Sequence, residues 1–179
     1  MKKEWNTVEV LRHARHDWLN KLQLIKGNLS LNKVDRVFEI IDEIVVETQQ
    51  ESKLSNMNIP QFASLLFTYN WENYQIQLEY EILGEHTVGA KKINDVQLTD
   101  WTIVFFEHLH TVIESLSENH LSITVEPQQT GIRFFFDFRG IIVEQEQLLF
   151  FLQKQSPIEK KVQQLSEQEL ALEIYMPFL

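Results

Sequence analysis

The sequence has no cysteine in 179 residues. Disulfides, thiolate metal sites and thiol nucleophiles are therefore excluded, and nothing ties the chain to an oxidising compartment. Glycine is scarce, with five residues, and proline scarcer, with four. A chain this poor in glycine has little backbone suited to wrapping phosphates. No apolar run approaches the roughly 20 residues that a membrane helix requires. The N-terminal MKKEWNTVEV lacks the apolar centre of a signal peptide. Apolar residues (44%) and aromatics (11%) are plentiful, as in ordered globular proteins. The expectation is a soluble, cytoplasmic protein of one domain or two small ones, with no membrane contact.

The net charge of −10 argues against a nucleic-acid partner. The charge is uneven. Residues 1–33 hold seven Lys and Arg against three Asp and Glu. A basic segment on an acidic protein is either a solvated helix face or a docking surface for something acidic.

Residues 7–31 carry helical periodicity, with Leu11, Trp18, Leu22, Ile25 and Leu29 on one stripe. The chain turns near Asn32, which reads as the N-cap of a second helix with Asp35 in its first turn. Val34, Val37, Phe38, Ile41, Ile44 and Val45 form the apolar face of that helix. So short a turn makes a helical hairpin. Two amphipathic helices cannot bury both stripes alone. Pairing with a second hairpin gives a four-helix bundle and a homodimer; the alternative is packing on the rest of the chain. Residues 53–60 read as a linker after a hairpin of residues 1–52. Over 61–179 the pattern is a helix from Pro60, a strand in QIQLEYEIL and the loop GEHTVGAKK. A helix over 95–117 follows, then a strand hairpin, LSITVEP and IRFFFDF, joined by QQTG. A helix in VEQEQLLFFLQKQ and a last strand, ELALEIYMPF, end the pattern. The class is α+β, the second part an α/β sandwich with helices on one face of a mostly antiparallel sheet.

In the first helix each residue turns about 100°. Taking His16 as zero, the apolar stripe centres near ~210°, so His16 faces away from it. It heads a polar stripe of Glu9, Arg12, Asn20, Gln23 and Gly27, flanked by Leu19 and Leu24. A polar centre, apolar rims and a glycine gap suit a docking partner; equally, Leu19 and Leu24 could pack on the second helix. His13 and His16 lack a third metal ligand nearby. A convex helix face offers no pocket for general-base work on a small molecule. Nucleophilic attack of a neutral imidazole on a phosphoryl group remains. Arg12, Arg15 and Lys21 offset phosphoryl charge, and Asp17 can take the proton of one ring nitrogen, freeing the other.

The segment RHDWLNKLQLIKGNLSL, Arg15 to Leu31, resembles the sporulation initiation phosphotransferase B family of endospore-forming bacteria. ESKLSN at 51–56, LEYEILGE at 78–85 and SENHL at 117–121 are similar to it too. The HDxxNKL core alone also resembles citrate-type sensor kinases. The family resemblance implies a hairpin that dimerises into a four-helix bundle, followed by a degenerate histidine-kinase ATPase domain. It implies that His16 is phosphorylated, taking the group from the aspartyl phosphate of a single-domain response regulator. The group then passes to the aspartate of the sporulation master transcription regulator. Arg15, Asp17 and Asn20 would support His16. Arg12, His13, Leu19, Lys21, Gln23, Leu24 and Gly27 would meet the partners. No cofactor is expected on this chain; Mg²⁺ would sit in the regulator. A kinase would need an asparagine where Val112 stands and glycines near DFRG, Asp137 to Gly140. Autophosphorylation from ATP is one alternative reading, and a non-catalytic dimeric scaffold is the other.

Overall fold

The computed structural model describes residues 5–72, 75–84 and 91–179. Lys2, Lys3, Glu4, His86 and most of the GEHTVGAKK loop lie outside the described residues. The chain divides into two compact units, Met1–Ser52 and Lys53–Leu179.

The first unit is a helical hairpin. Helix α1 spans Thr7–Ser30. Asn6 caps it: its Oδ1 accepts from the Val8 and Glu9 N–H groups at 3.0 Å each, and Glu9 accepts from the Asn6 N–H at 3.2 Å. This reciprocal pair satisfies donors that a helix start leaves open. At the other end the Asn32 N–H donates to Leu29 O at 3.0 Å and the Lys33 N–H to Asn28 O at 2.9 Å. Asn32 itself is left-handed, φ 54°. It was expected to cap the second helix; instead it closes the first, because its short polar side chain tolerates that backbone and the two bonds need it. Helix α2 follows over Val34–Ser55.

The hairpin seam is not the apolar stripe. On α1 the half-buried positions Val10, His13, Ala14, Asp17, Lys21, Ile25 and Asn28 form a column near ~120° from His16, with half-buried Glu9 beside the N-cap. On α2, Val37 and Ile40 are buried. Leu11, Trp18, Leu22 and Leu29 of α1, and Val34, Phe38, Ile41 and Val45 of α2, stay exposed; Trp18 keeps 51% and Phe38 63% of its surface open. Each helix thus spends one face on its neighbour and holds a second apolar stripe outward.

The second unit is a five-stranded sheet of order β1-β2-β3-β5-β4. The strands are β1 (Gln77–Ile82), β2 (His120–Pro127), β3 (Gly131–Arg139), β4 (Glu159–Leu165) and β5 (Glu169–Pro177). Strands β1 and β2 are parallel and the other pairs antiparallel. The helices are α3 (Pro60–Tyr69), α4 (Asp95–Val112) and α5 (Gln145–Gln153). Alternate strand residues, among them Phe134, Phe136 and Phe138, are fully buried with Phe62 and Phe105 from the helices. That alternation is the signature of a sheet covered on one face.

Three expectations need correction. Residues 53–60 are no linker: α2 runs on to Ser55, and Leu54, Met57 and Ile59 are buried in the second unit's core. Second, a strand was missed. EKKVQQL has only Val162 and Leu165 as apolar residues, since an edge strand carries lysine and glutamine toward water. Third, the helix expected over 95–117 stops at Val112. Ile113 is extended, φ −105° and ψ 157°, and bridges to Ile142.

Candidate functional site

His16 sits mid-helix on α1 with 72% of its side chain exposed. Its Nδ1 lies 3.3 Å from the Asn20 amide nitrogen and 3.5 Å from Asp17 Oδ1. Asn20 reaches it because residues four apart stack on one helix face. No hydrogen bond of Nε2 is found among the described residues. The ring is therefore held at one nitrogen and open at the other.

Around it, Arg12, Arg15, Leu19, Asn20, Gln23, Leu24 and Gly27 are all exposed. A Cβ built on Gly27 would meet nothing within 4 Å. The glycine is a gap in the surface, not a packing necessity of the hairpin. Two residues expected on this face lie elsewhere. His13 is half-buried and stands edge-on to Trp5, ring centroids 5.0 Å apart. Lys21 turns to α2, its Nζ 2.5 Å from Glu47 Oε2, with 27% of its side chain exposed. Glu51 flanks the same lysine. Burial pushes the Glu51 carboxyl up from its ordinary range, repulsion from Glu47 adds to this, and Lys21 opposes both.

Glu47 and Glu51 were missed in the sequence. The signal was there: Asp35, Glu39, Glu43, Glu47 and Glu51 recur at every fourth residue of α2, and the last two interact with Lys21 of α1. Among the described residues no three metal-ligating side chains converge.

A family model described as the alpha-helical domain of SpoOB-type sensor kinases matches residues 1–57. A second, described as the C-terminal part of sporulation initiation phosphotransferase B, matches residues 58–177. The chain belongs to the sporulation initiation phosphotransferase B family. A relative of that name from Bacillus subtilis (strain 168) is 40% identical over 139 residues, covering 76% of this chain and 71% of its own. As a family member the chain is a phosphotransferase. Solved structures similar to it include the nucleotide-free catalytic domain of histidine kinase ThkA, with 11% identity and a TM-score of 0.44. That match covers 68% of this chain and 92% of that one. Another is the Acinetobacter baumannii histidine kinase AdeS, with 10% identity, a TM-score of 0.42, and 90% and 97% covered.

The positions weighed for nucleotide binding have other occupations. Val112 is fully buried and its carbonyl accepts from the Val143 and Glu144 N–H groups at 2.7 and 3.3 Å. Asp137 to Arg139 continue β3, paired on both sides to β2 and β5. The chain then reaches α5 through residues 140–144, whose Ile142 is buried. Glu114 donates its N–H to Ile141 O at 2.8 Å. The end of α4 and the segment after β3 are thus stitched together by backbone.

Two further histidines have structural partners. His108 stacks on Phe151 with centroids 4.0 Å apart. The His110 ring meets the Tyr69 hydroxyl at 3.0 Å, and burial lowers its pKa.

Proposed function

We propose that His16 is the phosphoacceptor of a phosphorelay. It takes a phosphoryl group from the aspartyl phosphate of a single-domain response regulator and passes it to the aspartate of the sporulation master regulator. The observation that carries this is the ring's asymmetry: Nδ1 engaged by Asp17 and Asn20, Nε2 free. A proton on Nδ1 is drawn by the Asp17 carboxylate, a charged acceptor that outweighs a neutral amide. The Asn20 amide can present oxygen as well as nitrogen. Nε2 then carries the lone pair, attacks phosphorus as the aspartyl oxygen leaves, and Arg12 and Arg15 lie on the side of the incoming charge.

The outward stripes of α1 and α2 support a homodimer in which two hairpins close a four-helix bundle. Exposed residues of the size of Trp18 and Phe38 in an apolar stripe on each helix mark an interface. The His16 face lies on the other side and stays open to a regulator. Mg²⁺ belongs to the regulator's carboxylate pocket, and the relay works in the cytoplasm. The stitched backbone around Val112 and Ile142 supports a carrier rather than a kinase. Labelled ATP alone should leave the chain unlabelled, while a labelled phosphorylated regulator labels it; self-labelling from ATP would make it a kinase.

A further inference from the structure

We infer that the second unit carries a docking surface of its own, at the seam between α4 and the segment after β3. Its chemistry fits a partner protein with an apolar patch ringed by lysine or arginine. Three short segments meet at this seam through backbone. The Glu114 N–H donates to Ile141 O at 2.8 Å, the Ile142 N–H to Glu167 O at 2.8 Å and the Gly140 N–H to Gln168 O at 3.1 Å. Ile113 and Ile142 bridge, and both are buried. Alternation then sends the side chains on either side of Ile142 outward, and Ile141 and Val143 are exposed. Leu116, two residues on from Glu114, keeps 93% of its surface open.

The loop that carries Leu116 is held in place. The buried Asn119 amide donates to Glu114 O at 2.9 Å and to Ser117 O at 3.2 Å, one on each side of Leu116. It also reaches Gln75 O at 3.2 Å, and Gly140 lies so close to it that no Cβ fits there. Leu116 is therefore a fixed apolar knob, and docking it costs little ordering. The rim is acidic. Glu114, Glu118, Glu144 and Glu167 are exposed, and none of them forms an ion pair among the described residues. Glu118 and Ile141 line one open groove with Arg139, whose guanidinium is taken up by Asp137 and Glu169 at 3.5 and 3.7 Å. An apolar centre inside a charged rim is the anatomy of a protein interface. The sign of the rim selects the partner. Carboxylates repel nucleic acid and anionic membranes, and they repel the carboxylate pocket of a regulator that would meet His16. They attract a basic rim.

The test uses the full chain and a fluorescent amphipathic helical peptide of leucine and lysine, with binding read by anisotropy at low salt. The wild type is expected to bind it. Leu116→Ser with Ile141→Ser should weaken binding about tenfold, the scale of one buried leucine side chain. Both positions are exposed, so thermal unfolding should stay at the wild-type midpoint. Glu114→Gln with Glu144→Gln should weaken binding about threefold, and that difference should vanish at high salt. Glu79→Gln with Glu81→Gln removes the same charge from exposed positions of β1 and should leave binding unchanged. No binding by the wild type would overturn the inference. So would equal binding by the wild type and the Leu116, Ile141 variant, since the peptide would then be reading net charge alone. Light scattering closes the remaining case: a Leu116→Ser chain of half the wild-type mass would make a second copy the occupant and overturn the inference as well.

Discussion

At position 16 the helix offers an imidazole whose two nitrogens have different neighbours. The chemistry follows from that difference, and so does the role of Asp17. Asp17→Asn keeps the shape and removes the charge, leaving Nδ1 between two amides with no preferred proton position. A hydrogen bond to a charged group contributes about 1.5 kcal/mol. Phosphoryl uptake by Asp17→Asn should therefore fall about tenfold, measured by rapid quench with labelled regulator. The exposure of His16 was legible in the sequence because the 100° step separates it from the apolar stripe whatever the tertiary packing. Lys21 and His13 were placed on the docking face by the resemblance, whereas the 100° step puts them ~140° and ~60° from His16, and the hairpin seam runs through Asp17, Lys21 and Asn28. A polar seam has no hydrophobic period to read.

The elements carry their own tests. Gly27 weakens α1 by about 1 kcal/mol relative to alanine, and nothing in the hairpin fills the space above it. Gly27→Ala is thus expected to stabilise the hairpin by that amount while raising the regulator concentration needed for half-maximal transfer. Stabilisation with unchanged transfer would remove Gly27 from the docking face. At the turn, Asn32 holds φ 54°. Asn32→Val should cost about 1–2 kcal/mol and Asn32→Gly should be tolerated, read by thermal unfolding. Turn chemistry at Asn32 was half-legible: asparagine marks a helix boundary, but the same residue suits the end of one helix and the start of the next. Strand β4 was not legible, because EKKVQQL is shaped by its place at the sheet edge and not by an apolar pattern.

Across the whole molecule, the division at Ser52 separates two stabilities. The second unit holds its own aromatic core and should respond to pH through His110. Burial depresses the His110 pKa below its ordinary value of 6.5, so below that value the unfolded chain binds the extra proton first. Stability conferred by the neutral ring is present above about pH 6.5 and is lost as pH falls toward the folded-state value. Urea unfolding at pH 5 should give a lower midpoint than at pH 7.5, and His110→Gln should flatten that difference. In the proposed dimer the hairpin depends instead on a second copy. Light scattering should give twice the 21.3 kDa chain mass for the wild type and the single-chain mass for Phe38→Glu. The sheet's alternation made the second unit's class readable in advance. The two outward stripes were readable in advance, though not which residues the hairpin would keep for itself.

The central claim is that His16 carries the phosphoryl group. It is tested most directly by incubating the chain with a labelled, phosphorylated single-domain response regulator and Mg²⁺, then locating the label by peptide mapping. The account predicts acid-labile, base-stable label on the peptide containing His16 and none on His16→Ala of the same dimeric mass. Label of equal strength on His16→Ala, or none on the wild type, would contradict it.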